Sequence, residues 1–253
     1  MNKNNYHTHT TRCYHASGKD EEYVKAAIKA GIKELGFSDH TPWHYDSSFK
    51  ATMRMPESQL DDYIESIRYL KEKYKDQISI LIGLECEYFE RYMPWLEKML
   101  KDKQIDYIIL GNHYYETDEL HQYFGSPVNE YYLKAYVDHC IKAIDTGLYS
   151  YIADLVYYDK DSKLYQEEMS RLCAYAKEKD MPLEFNLLGF MSGRHYPNES
   201  FWKIASKYQN KAIIGFDAHS PDALLKDDIY QQAFNYLSSL DVELIDTIKT
   251  LKK

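Results

Sequence analysis

The chain has 253 residues, 44% hydrophobic and 28% charged with only ten Gly and seven Pro, a composition that excludes a disordered or fibrous protein and allows a large core. A net charge of −9 argues against a nucleic-acid partner but leaves room for a local cationic site that takes a small phosphorylated substrate. No apolar run reaches the ~18 residues of a membrane span, no signal-peptide pattern is present, and the four cysteines (Cys13, Cys86, Cys140, Cys173) form no CxxC pair, so reduced thiols in a cytoplasmic protein without a membrane partner are expected.

In chain order, short apolar or β-branched runs alternate with longer amphipathic stretches. The runs cover 5–9, 34–38, 78–85, 106–112, 150–156, 183–186 and 212–217. Helical patterns cover 21–30, 57–74, 93–101, 130–146, 162–179, 200–208 and 221–237, with start signals at Pro56-Glu57 and Pro221-Asp222. A last amphipathic stretch covers 242–251, and the longest non-periodic segment, 116–127, is a candidate lid. Seven strands, each followed by a helix and with no Gly- or Ser-rich break, predict one α/β barrel domain over 1–253.

Metal-capable side chains fall at the ends of these runs. His7 and His9 end the first; Asp39 and His40 follow the second; Glu85 ends the third; His113 follows the fourth; Asp154 lies late in the fifth; Asp217 and His219 end the last. Parallel barrels build their sites at the C-terminal ends of several strands, and six of the seven predicted ends carry a candidate ligand. Residues two apart on a strand point the same way, so His7/His9 and Asp217/His219 can each act as a pair. Imidazole and carboxylate without cysteine suit zinc, manganese or iron. The candidates are too many for one tetrahedral ion, and they suit a cluster bridged by carboxylates, able to produce hydroxide at neutral pH and to neutralise a phosphoryl group.

The chain resembles the PHP (polymerase and histidinol phosphatase) superfamily. The resemblance rests on His7-Thr8-His9, His15, Ser38-Asp39-His40, Gly83-Leu84-Glu85, Gly111-Asn112-His113, Ala153-Asp154 and Asp217-Ala218-His219, in the family's order. Leu183-Glu184-Phe185-Asn186 and Gly193-Arg194-His195-Tyr196-Pro197 are similar to its histidinol-phosphatase branch. The resemblance implies a distorted (β/α)7 TIM-like barrel with three ions. His7, His9, Glu85 and Asp217 would hold the first; Glu85, His113 and the fifth-strand residue the second; His15, His40 and His219 the third. It implies a phosphomonoesterase, an L-histidinol-phosphate phosphatase of histidine biosynthesis, in which hydroxide rather than a side chain attacks phosphorus. Another phosphomonoester, a nucleotide or a phosphotyrosine, is the alternative substrate, and a non-catalytic barrel the third reading. One departure stands out: Asp154 occupies the place of the family's usual histidine.

On the rim, Arg194 offers a fork matched to phosphate oxygens, while His195 and Lys160 are further candidates for substrate contact. Glu87 is the rival carboxylate at its strand end, with supporting or surface duty expected. Asp39 is expected to orient a loop or an imidazole. His44 reads as a substrate-edge or exposed loop residue, His121 as solvated, and His139 as a helix-face residue without chemistry.

Overall fold

Seven parallel strands lie side by side in chain order: β1 (Glu34–His40), β2 (Ser79–Cys86), β3 (Tyr107–Leu110), β4 (Tyr149–Ile152), β5 (Leu183–Asn186), β6 (Lys211–Gly215) and β7 (Glu243–Leu244). This is the arrangement in a computed structural model that describes residues 3–251. Parallel neighbours need a crossover between them, and helices supply it: α1 (Asp20–Lys29), α2 (Leu60–Lys73), α3 (Met93–Lys103), α4 (Glu130–Thr146), α5 (Lys163–Glu178), α6 (Leu187–Ser192), α7 (Glu199–Lys207) and α8 (Asp227–Ser239). The distorted (β/α) barrel expected from the sequence is therefore the fold.

The first run closes the barrel without forming a continuous ladder. Its peptide groups are shared between two sides: Gly36 N donates to Asn5 O at 2.7 Å and Ser38 N to Thr8 O at 2.8 Å, while His9 N donates to Ala218 O at 2.9 Å. β6 spends its first residues pairing with β7, at Lys211 and Ala212. Past its end the chain meets the 5–9 segment, Phe216 N donating to Asn5 Oδ1 at 3.0 Å and Ala218 bridging to Thr8.

Two elements lie outside the pattern read from the sequence. The amphipathic 242–251 stretch gives the two-residue β7. It then runs beneath the barrel, where Lys249 O accepts from Ser150 Oγ at 2.6 Å and Leu251 N donates to Asp106 O at 2.8 Å; pairing against strand ends prevails over helical period. Helix α6 was not expected, since six residues are too few to display a period. It is held instead by its ends, Asn186 at the N-cap and Gly193 in the left-handed conformation at φ +61°.

Two apolar layers support the site. A small inner cluster of Tyr6, Tyr107, Ile109, Tyr151, Ala153 and Ile213 fills the barrel, and a larger one lies between sheet and helices. Strand alternation sorts them, with Ile108 and Leu110 facing the helices and Tyr107 and Ile109 facing inward. The Tyr107 hydroxyl donates to Tyr6 O at 2.7 Å, so this polar tip is satisfied in the interior. Burying each large apolar side chain contributes about 1.5–3 kcal/mol, which makes this floor rigid enough to carry a polar cluster above it. Among the described residues no helix is long and apolar enough to cross a membrane.

Candidate metal centre

Glu85 stands at the middle of the inward-facing histidines. It ends β2 beside Gly111, where a Cβ would come within 2.0 Å of Glu85 Oε1, so glycine there admits the carboxylate to the barrel. His7 Nε2 lies 3.5 Å from Glu85 Oε1 and 3.1 Å from His9 Nε2. His9 Nε2 lies 3.4 Å from Glu85 Oε2, and Asp217 Oδ1 is 3.5 Å from His7 Nε2 and 3.3 Å from His9 Nε2. Donors ~2.1 Å from one tetrahedral ion stand ~3.4 Å apart. His7, His9 and Glu85 thus hold ligand spacing toward one another, and Asp217 Oδ1 stands at the same spacing from the two histidines.

A second set begins at the same carboxylate. His113 Nε2 lies 3.3 Å from Glu85 Oε1 and 3.3 Å from Asp154 Oδ2. Asp154, just past the end of β4, therefore stands within ligand spacing of His113 even though it is not the family's usual histidine. The remaining histidines gather on the other flank. His9 stacks on His219 with centroids 4.2 Å apart, and His15 lies 4.7 Å from His219 and 5.6 Å from His40. Two overlapping groups of donor atoms, His9/His40/His219 and Cys13/His15/His219, each lie within 4.8 Å of one another. Cys13, which the sequence reading left out of the set, is therefore a neighbour of this flank.

The crowding of donor atoms carries the chemical argument for metal. Both Glu85 oxygens, Asp217 Oδ1, His9 Nδ1, His40 Nδ1 and His219 Nε2 are buried without a well-formed hydrogen bond, several of them held only by close carboxylate–imidazole approaches such as His40 Nδ1 to Glu85 Oε2 at 2.9 Å. Leaving such groups unsatisfied is costly, whereas divalent ions would satisfy carboxylate and imidazole together. The donor set fits divalent metal.

Supporting residues aim the imidazoles. Glu184 contacts His7 Nδ1, which leaves Nε2 facing Glu85. Glu87 lies 3.1 Å from His113 Nδ1 and is held in turn by Arg54 (2.9 Å from Nη1) and by the Trp43 indole N–H at 2.8 Å. His219 Nδ1 donates to Asp217 O at 3.0 Å and His15 Nδ1 to Cys13 O at 2.7 Å. Asp39 accepts from Thr10 N at 3.1 Å and lies 3.5 Å from His9 Nδ1, the orienting place expected for it. Asp217 itself sits at φ +48°, a left-handed conformation that Asp tolerates better than most residues.

Electrostatics follow from this crowding. Burial works against a charge on His7, but the carboxylates of Glu184, Asp217 and Glu85 outweigh it and raise its pKa well above the ordinary value. His9 rises to about 9 despite burial, through Asp217, Asp39 and Glu85. His40 goes the other way, pushed by burial down to about 3. Glu85 and Asp217 fall well below the carboxylate range, since nearby imidazoles outweigh burial.

The rim candidates separate. Arg194 is exposed beyond α6 with Nη1 donating to the Tyr196 hydroxyl at 2.8 Å, and Asp217 and Asp154 are among the charges acting on it. His195 is committed elsewhere, its Nε2 donating to Leu155 O at 2.7 Å and its ring stacked on Tyr157 at 4.7 Å. Lys160 pairs with Asp161 at 2.7 Å on an exposed turn, and among the described residues no contact joins it to the cluster. The 116–127 segment is pinned rather than free, because buried Asp118 accepts from Arg54 Nε at 3.1 Å and from the Tyr45 hydroxyl at 2.7 Å. Sequence reasoning missed Glu184 and Arg54. For Glu184 a signal existed, a charged residue within a short strand otherwise fit for burial; Arg54 lies in an irregular loop that offers none.

A family model described as PHP domain matches residues 5–187. A Deinococcus radiodurans protein named "Probable histidinol-phosphatase" is 29% identical over 236 residues, covering 85% of each chain. The Bacillus subtilis "Histidinol-phosphatase" is 27% identical over 254 residues, covering 87% of this chain and 94% of its own. Among solved structures, the histidinol phosphate phosphatase of Lactococcus lactis, complexed with zinc, L-histidinol and phosphate, matches with a TM-score of 0.70 at 20% identity over 99% of both chains. That last likeness speaks to the fold.

Proposed function

The chain belongs to the PHP domain family, and we propose that it is a metal-dependent phosphomonoesterase acting on L-histidinol phosphate, the phosphatase step of histidine biosynthesis. In this reading 1–253 is one catalytic unit, acting in the cytoplasm; Asp217 and His219, beyond the matched residues, stand against His9 and so belong to the same donor set. The observation that carries the reading is Glu85, whose oxygens face His7 and His9 on one side and His113 on the other. The relatives named for histidinol phosphatase support the substrate.

His7, His9, Glu85 and Asp217 would hold one ion; Glu85, His113 and Asp154 a second; His15, His40 and His219 a third, with zinc, manganese or iron as the ions. When bound, such ions neutralise phosphoryl oxygens and lower the pKa of water to near neutrality. The protein's own residues do the rest. Glu184 and Glu87 fix the tautomers of His7 and His113 so that Nε2 faces the cluster. Arg194, on the open rim, grips the non-bridging oxygens of the phosphate and balances charge gained as the P–O bond breaks. The buried walls around Glu85 keep bulk solvent from screening these charges.

The test is phosphate release by Zn- or Mn-loaded protein from L-histidinol phosphate and from an aryl phosphate, with Asp217→Asn as the inactive control. A preference for the natural ester by orders of magnitude in kcat/KM is expected. Equal, slow turnover of both would reassign the barrel to another phosphomonoester. No turnover with ions bound would overturn the phosphatase reading.

A further inference from the structure

Asn186 ends β5 and caps α6, and its two ends face different things. Its Oδ1 accepts from Gly189 N at 2.8 Å, the N-cap bond of α6. That bond fixes which way the amide points and turns Nδ2 into the barrel. There Nδ2 lies 3.1 Å from Asp154 Oδ1, 3.1 Å from Asp217 Oδ2 and 3.2 Å from Glu184 Oε2.

The oxygens it takes are informative. Asp217 presents Oδ1 to His7 and His9 and gives Oδ2 to Asn186. Asp154 presents Oδ2 to His113 and gives Oδ1 to Asn186. Each carboxylate thus turns one oxygen to the histidines and the other to the same amide. Glu184, the third acceptor, is the group that aims His7. A carboxylate left with a free second oxygen can rotate about its terminal torsion, which is broad and two-fold. An amide NH2 has two hydrogens, enough to remove that freedom from the two aspartates at once, with Glu184 Oε2 as a third, shared acceptor.

We infer that Asn186 is a positioning residue that couples the two ion sets meeting at Glu85, by holding Asp154 and Asp217 through a single amide. The inference rests on the ligand assignment proposed above. It also accounts for how an aspartate serves at position 154: a side chain shorter than histidine is set in place by an amide donor from the neighbouring strand.

The test separates this role from helix capping. Ser caps a helix about as well as Asn, so Asn186→Ser keeps the bond to Gly189 while losing the amide NH2 that reaches the carboxylates, the shorter side chain leaving its one hydroxyl proton at the cap. Stepwise zinc affinities are measured by competition with a chromophoric chelator, beside the melting temperature of the metal-free protein. Asn129→Ser, which alters the cap of α4 in the same way, is the control. Asn186→Ser should weaken both ions at Glu85 by about 10–100-fold, the effect typical of groups that orient ligands, with melting within a few degrees of wild type and Asn129→Ser binding normally. Should Asn186→Ser fail to fold, Asn186→Asp keeps shape and cap but offers oxygen in place of N–H, and the same double loss is expected. Wild-type affinities in either folded variant, loss confined to one ion, or equal loss in Asn129→Ser would each overturn the inference. Wild-type protein that takes up fewer than two ions would instead defeat the ligand assignment itself, and the inference with it.

Discussion

Glu184 holds the Nδ1 of His7 with both carboxylate oxygens, at 2.9 and 3.0 Å, at the centre of the barrel. Gly215 makes the contact sterically possible, since a Cβ there would stand 1.8 Å from Glu184 Oε1. The carboxylate matters to the site because it decides which His7 nitrogen is free. Glu184→Gln should bind its first ion about 10–100-fold more weakly while keeping wild-type secondary structure by circular dichroism. Unchanged zinc affinity in a chelator competition would show that His7 is aimed by packing alone.

Arg54 and Glu87 form a buried pair at 2.5 Å, each 1% exposed, with Glu87 also oriented toward His113. Burial opposes ionisation of Glu87, yet Arg54 and His113 hold its carboxyl below the usual range. Removing one partner leaves an uncompensated charge, so Arg54→Met should cost about 3–5 kcal/mol in urea unfolding of the metal-free protein. Replacing both partners, Arg54→Met with Glu87→Met, should recover only part of that stability, because buried Asp118 still loses Arg54 Nε. The double variant should nevertheless bind its second ion weakly, because His113 has lost its orienting carboxylate. Stability and ion binding moving together across these variants would contradict this division of labour.

Metal loading should be strongly pH-dependent. In the metal-free protein His9 carries a proton up to about 9, and His7 and His113 are likewise raised. These protons must leave before an ion binds, so zinc uptake near pH 7.5 should release them and affinity should climb with pH. Calorimetry in buffers of different ionisation enthalpy measures the count; release of less than one proton per protein would refute the assignment. The same shift bears on stability. His9, raised in the folded state, stabilises metal-free protein fully below its unfolded value of ~6.5 and loses that contribution as pH rises to about 9. Glu85 and Asp217, depressed in the folded state, contribute above the ordinary carboxylate range and lose that contribution as pH falls through their folded pKa.

Arg194 should govern phosphate affinity more than turnover of bound substrate. Losing a charge-assisted contact costs about 1.5–3 kcal/mol, so Arg194→Met should raise KM and the inhibition constant for inorganic phosphate by roughly tenfold or more. Arg194→Lys should rescue only in part, because an ammonium lacks the planar fork. Identical phosphate inhibition in wild type and Arg194→Met would remove Arg194 from the site.

The barrel and most of the candidate ligands were legible because they depend on local period and on spacing along single strands. His7 and His9 lie two apart, and alternation puts both toward the barrel interior; Asp217 and His219, also two apart, lie past the end of β6, where the left-handed turn at Asp217 rather than alternation places them. What local pattern could not reveal is which groups meet across strands. Glu184 aims His7 across 177 positions, Arg54 reaches Glu87 and Asp118 from a loop without period, and Asn186 joins Asp154 to Asp217. The same limit explains the 242–251 stretch, whose apolar spacing fits a helix while its neighbours in space offer strand edges and backbone partners. Periodicity is a property of a few adjacent residues and survives in the linear chain. The choice of partner for a buried polar group is made only when folding removes water from it and obliges it to find one.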